Sequence, residues 1–171
     1  MLVFDFARKA LVYLVQSCRI EEIFIPYYLC DVIRHSLVKA GCKPIFYHID
    51  DNFMPVEKFS LDSFIVYPNY FGICSYNVDK LVSIYPNLIV DNAHAFYAEP
   101  QGFASFNSSR KFLVEDAGAF LWIGKGENGY FPDSYRREVF DKFHEIYGKT
   151  NNLNIHIKDT DIPFCYPYLA A

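Results

Sequence analysis

Between residues 88 and 122 the sequence reads LIVDNAHAFYAEPQGFASFNSSRKFLVEDAGAFLW, and three side chains in it could do chemistry together. Asp91 closes the apolar run 88–90, and His94 follows three residues later. Lys111 comes after a second apolar run, 103–106, and the polar cluster Asn107-Ser108-Ser109-Arg110. A lysine amine can capture a carbonyl compound. A carboxylate can hold a cationic nitrogen, and an imidazole can orient a ligand or exchange a proton. In open α/β sheets, ligands bind outside the carboxyl ends of the strands, which is where these runs would put the three groups. Each residue also has an ordinary explanation. Lys111 suits a solvated surface, Asp91 suits a cap for the segment beginning at Asn92, and His94 suits a half-buried, hydrogen-bonded position.

Ser105, Ser108 and Ser109 add hydroxyls able to meet an anion, although small polar residues in a turn need no ligand to explain them. His35, His48, His144 and His156 are spread without metal-ligand spacing, so no metal site is expected. Neither a Gly-x-Gly-x-x-Gly fingerprint nor a Walker lysine loop is present.

These residues must be carried by regular elements. Helical spacing of apolar residues predicts a helix over 5–16, with Asp5 as its cap, and a second over 28–40 stopped by Gly41. A third, short helix is expected over 78–85. Strands are predicted at 22–25, 44–48, 61–66 and 88–90, with strand-like runs at 103–106 and 119–122. Continuous apolar strands alternating with helices predict an α/β fold, a mainly parallel sheet with helices on both faces. After Trp122 a loop over 124–133, a charged helix over 134–147 and a strand at 153–157 lead to the apolar tail 162–169, which must fold back or face another subunit. The expected division is therefore an α/β core over 1–123 and a helical C-terminal extension over 124–171.

Composition narrows the function classes. The 171 residues suffice for one well-buried core. A net charge of −4 argues against nonspecific nucleic-acid binding, which needs a basic face. No run approaches the ~20 apolar residues of a membrane span, and 1–5 lack the basic segment of a signal peptide. Five scattered cysteines without a CxxC pair are expected to be reduced thiols, mostly in the core of a cytoplasmic protein. Fourteen Tyr and 17 Phe predict dense ring packing.

The ordered set of short motifs resembles the large domain of the DegT/DnrJ/StrS-type sugar aminotransferases, which have the pyridoxal-phosphate fold of type I. The pieces are Phe6-Ala7-Arg8-Lys9-Ala10-Leu11, Ile25-Pro26-Tyr27-Tyr28-Leu29-Cys30 and Gly41 through Phe46-Tyr47-His48-Ile49-Asp50. Val90-Asp91-Asn92-Ala93-His94-Ala95, Ser105 through Ser109-Arg110-Lys111-Phe112, and Asp116-Ala117-Gly118-Ala119 complete it. The resemblance implies pyridoxal phosphate as cofactor and Lys111 as the catalytic lysine that joins its aldehyde, unless Arg110, one residue earlier, takes that place. It implies Asp91 at the pyridine nitrogen and His94 at the 3-hydroxyl or ring face. Ser105 would offer a phosphate contact, and Tyr28 and Cys30 lie in the loop that supplies a ring-stacking group. A nucleotide-linked keto sugar as substrate, an amino-acid donor such as glutamate and a homodimer follow from the same resemblance. Family members are about twice as long and carry a second, smaller domain. Their phosphate turn holds Gly, Ser or Thr where this chain has Asp5-Phe6-Ala7, whose carboxylate is expected to repel a phosphate. The alternative expectation is a shortened, non-catalytic remnant that keeps the fold and dimer surface.

Overall fold

The computed structural model describes residues 1–113, 118–128, 155–162 and 164, together with Glu138, Asp141 and Glu145, which are helical. Seven strands form one sheet in the order β1-β7-β6-β5-β4-β2-β3. They are β1 (Leu2–Phe4), β2 (Glu22–Pro26), β3 (Lys43–Tyr47), β4 (Ile65–Pro68), β5 (Leu88–Asn92), β6 (Ala104–Asn107) and β7 (Ala119–Ile123). Strands β2 to β6 run parallel, while β7 is antiparallel to both β6 and β1. The fold is therefore α/β with a mostly parallel sheet, as the alternating pattern predicts.

Helices α1 (Ala7–Ser17), α2 (Asp31–Lys39) and α3 (Ser75–Ile84) cover the two faces. On one face Ala10, Leu11, Leu14 and Val15 of α1 and Ile33 and Leu37 of α2 pack with Ile23, Ile25, Val66, Ile89, Ala104, Phe106 and Leu121. On the other, Val78 and Leu81 of α3 pack with Ile65, Tyr67, Leu88 and Val90. Neighbouring residues of β4 and β5 therefore go to opposite cores, the period-two alternation of a strand buried on both sides. Buried tyrosines keep their hydroxyls paired: Tyr47 donates to the Val66 carbonyl at 2.8 Å, and Tyr67 to that of Phe53 at 2.9 Å.

Several boundaries differ from expectation. Residues 2–4 form an edge strand, and α1 starts only at Ala7, after an extended Phe6. Asp5 makes no cap; it pairs with Lys9 at 2.5 Å. The strand expected at 61–66 begins at Ile65, because a Ser60–Ser63 turn, closed by a 3.1 Å backbone bond, takes up the preceding residues. Helix α2 starts at Asp31, three residues later than predicted, since 27–30 form the turn leaving β2. Ile155 and Ile157 belong to no strand and pack against the α3-side core. The rest of that expected strand, most of the 134–147 helix and most of the tail lie outside the described residues. Among the described residues no helix is long and apolar enough to cross a membrane. Cys42 and Cys74 are buried, Cys18 is half-buried and Cys30 is exposed; Cys165 lies outside the described residues.

Candidate functional site

A cleft of about 440 Å³ opens at the carboxyl ends of the parallel strands. That is within the ~300–1,000 Å³ usual for small-molecule sites. Asp91 reaches it from the penultimate position of β5, and His94 from the turn that follows. Ser108, Arg110 and Lys111 reach it from the connection after β6, where 109–111 make a single 3-10 turn. Phe6, Ala7 and Arg8 contribute the start of α1, and Tyr27, Tyr28, Leu29 and Cys30 the turn after β2. Pro68, Asn69, Tyr70 and Phe71 close the cleft from the end of β4.

Asp91 is 7% exposed, and its Oδ1 accepts the Ala93 N–H at 2.8 Å. Burial pushes its carboxyl up to about 6, against the pull of that N–H and of the Lys111 charge. Burial pushes His94 the other way, down to about 4, and the Lys111 charge adds to the effect. The imidazole stacks on Phe164 (centroids 5.0 Å apart, planes at 12°) and on Phe71 (6.1 Å, 24°). Lys111 Nζ lies 5.3 Å from the centre of the same Phe164 ring. Lys111 is thus the cation whose field reaches both Asp91 and His94, while the exposed Arg110 guanidinium lies 5.5 Å from the Phe6 ring at the rim.

The structure gathers five of the six expected site residues: Asp91, His94, Lys111, Tyr28 and Cys30 all line the cleft. Ser105 is the exception. It sits inside β6, between Val90 and Trp122 in register, with its Oγ buried and unpartnered, and it does not line the cleft. A residue in a central strand faces one layer or the other and cannot reach past the strand end; Ser108, just beyond β6, is the serine that does. Tyr28 is mostly exposed and stacks on Tyr70 (5.7 Å, 22°), whose hydroxyl donates to the Tyr28 carbonyl at 3.2 Å. Asp5 does not line the cleft, and its carboxylate pairs with Lys9. Arg8, 4.1 Å over the Phe6 ring, faces the site instead.

Sequence reasoning missed Arg8, Tyr70, Phe71 and Phe164. Phe71 had a faint signal: it follows a strand end and precedes Gly72, a turn signature, and its φ of 55° is left-handed. Phe164 had none, because nothing local ties a tail residue to His94.

Neither protein-family models nor the sequences of curated proteins match this chain. Solved structures do. TlmJ, an aminotransferase from Streptoalloteichus hindustanus, superposes with a TM-score of 0.64 at 13% identity over 88% of this chain and 59% of its own. Helicobacter pylori PseC, an aminotransferase involved in the biosynthesis of pseudoaminic acid, gives 0.58 at 17% identity over the same shares. Spr1654 from Streptococcus pneumoniae, assigned as a sugar aminotransferase and solved in its PMP form, gives 0.56 at 13% identity over 74% and 41%. The chain thus has the fold of aminotransferases of this kind and spans about two fifths to three fifths of their length.

Proposed function

We propose that this chain binds pyridoxal phosphate in the cleft and acts as an aminotransferase of the DegT/DnrJ/StrS type. Its reaction would move an amino group from an amino-acid donor, glutamate in the family pattern, to the keto group of a nucleotide-linked sugar used in surface polysaccharide. The observation that carries this reading is the convergence of Asp91, His94 and Lys111 on one cleft at the carboxyl ends of parallel strands. The fold shared with sugar aminotransferases supports it.

The residues suit the cofactor. A buried carboxylate held up to about 6 lacks full compensation, and a protonated ring nitrogen is the partner it would favour. Arg8, Arg110 and the first N–H groups of α1 suit an anionic tail. When bound, pyridoxal phosphate supplies an electron sink for the carbon that exchanges its amino group. Asp91 would keep that sink effective by holding the ring nitrogen's proton. Lys111 would tether the aldehyde end and carry the proton to and from the reacting carbon. His94, neutral near pH 7, would present a ring nitrogen to the 3-hydroxyl. Tyr28 and Cys30 would flank the ring from the turn after β2. The family pattern also implies a homodimer in the cytoplasm, and the exposed Tyr27, Tyr28 and Val32 beside the cleft suit a partner surface.

The test is to incubate the protein with pyridoxal phosphate, reduce with borohydride and map the modified peptide by mass spectrometry. A pyridoxyl group on Lys111 is expected. A protein that stays colourless and unmodified would overturn the cofactor claim. A second reading, a non-catalytic chain that keeps the fold and dimer surface, draws on one contact. Lys111 lies over the Phe164 ring, a position that engages a lysine as a cation.

A further inference from the structure

His94 lies in a frame that the catalytic reading leaves unexplained. Phe71, in the turn after β4, places its ring near-parallel to the imidazole, and Phe164, far along the chain, does the same at closer range. The two phenylalanines are also tied by their backbones, the Phe164 N–H donating to the Phe71 carbonyl at 2.7 Å. Phe71 adopts a left-handed conformation (φ 55°, ψ 4°), which a bulky side chain takes only where its surroundings enforce it. Such outliers gather where a side chain must be delivered to a fixed place.

The segment that brings Phe164 is anchored along its length. Ile155 and Ile157 pack into the α3-side core. Lys158 pairs with Asp79 of α3. Asp161 is 3% exposed, and its Oδ2 accepts the Lys158 N–H at 3.1 Å. At Gly72 the segment passes so close that a Cβ would lie 2.5 Å from the His94 carbonyl oxygen and 2.6 Å from that of Ile162. Phe164 itself does not line the cleft, so it leaves the ligand's space open.

We propose that Phe71 and Phe164 clamp the His94 imidazole between them and turn its edge into the cleft, which makes Phe164 a positioning residue supplied by the C-terminal segment. The inference rests on the reading of His94 as a group facing the cofactor, and it deepens that reading. In that clamp both faces are taken, so His94 would meet a ligand through a ring nitrogen, as the 3-hydroxyl role needs, and not by stacking on its face. Near-parallel ring pairs of this kind favour one ring orientation beyond what their buried area contributes. Lys111 is the charged group whose field reaches the imidazole; Asp91, Arg8 and Arg110 line the same cleft, and Lys158 and Asp161 sit on the docked segment.

The test reads His94 directly, in the full chain without cofactor, by NMR titration of its imidazole signal, assigned with a His94→Gln control. In the parent protein the midpoint is expected near 4. Phe164→Ala opens one face to water, and the midpoint should move toward 6.5, the ordinary imidazole value. Phe164→Tyr, which keeps the ring, should leave it low. Phe164→Val, which stays apolar but uncovers much of the imidazole, serves if the alanine variant fails to fold and should move the midpoint part of the way up. With pyridoxal phosphate added, Phe164→Ala should weaken binding about tenfold, as loss of orientation does, and Phe164→Tyr should not. An unchanged midpoint in folded Phe164→Ala or Phe164→Val overturns the clamp, even if Lys111 is found to take the cofactor. A moved midpoint in a protein that never binds pyridoxal phosphate leaves the clamp standing and removes only the cofactor reading.

Discussion

Asp91 and His94 share one cleft, and burial moves their protonation in opposite directions, so their contributions to stability oppose each other across mildly acidic pH. Asp91 is raised from 3.8 to about 6 on folding. Its contribution is therefore fully present below about 4 and lost as pH rises through 6, at a cost of about 3 kcal/mol by the usual conversion. Replacing it with Asn removes the buried charge while an amide oxygen can still accept the Ala93 N–H. Asp91→Asn should stabilise the ligand-free protein at pH 7–8 by roughly 1–3 kcal/mol, with the gain fading toward pH 4 in melts followed by circular dichroism. The same variant should lose pyridoxal phosphate binding, so a gain in stability with a loss of cofactor would mark the position as one kept for function. His94 falls from 6.5 to about 4, so its contribution is present above 6.5 and lost as pH falls through 4. His94→Gln should flatten the acid limb of the stability profile between those values. Cofactor affinity should itself drop as pH falls below about 6, where the Asp91 carboxylate takes up its proton; a spectrophotometric titration across pH 5–8 reads this directly.

The turn after β4 does more than end a strand. It carries Asn69, which receives the Cys74 N–H on its Oδ1 at 2.9 Å, then Tyr70 and Phe71 in the cleft wall, and Gly72 under the docked segment. Gly41 and Gly72 have similar left-handed φ values, 83° and 77°, but Gly41 has nothing near its missing Cβ. Gly41→Ala should cost about 1–2 kcal/mol, the conformational penalty alone. Gly72→Ala adds a collision with two backbone carbonyls and should cost more, about 2–4 kcal/mol; urea unfolding of the pair separates the two terms. The same turn shows what could be read from sequence. Leu88-Ile89-Val90 is an uninterrupted apolar run that fits little but a buried strand, and Asp91 at its end falls on the cleft. The helical spacing of Leu11, Leu14 and Val15 likewise settles α1. Residues 2–4 are too few to show any period, so β1 was not expected. Ser105 was misplaced for a subtler reason: its side chain points within the sheet layers, and only three-dimensional register separates it from Ser108. Phe164 could not be found at all, since its role depends on a distant contact.

At the scale of the whole molecule, the site has walls from widely separated parts of the chain: residues 6–8, 27–33, 68–71, 91–94 and 108–111. Tyr27 and Val32, 60% and 41% exposed, stand together on the rim. If the proposed homodimer forms there, Val32→Glu should convert it to monomer in sedimentation velocity, and an unchanged mass would place the partner surface elsewhere. The pairing of β1 with β7 carries a consequence for how the protein is made. Leu2 finds its partner in Leu121, so β1 leaves the ribosome before β2 to β6 yet is satisfied only after all of them. Until residues 119–123 emerge, the segment leading into α1 has no fixed anchor at the sheet edge, and Phe6, Ala7 and Arg8 have no defined position over the cleft. Long-range closures of this kind slow folding. A nascent chain released before β7 would hold Asp91, His94 and Lys111 near one another yet lack the wall that completes their pocket, so the capacity to bind should arrive late and abruptly during synthesis.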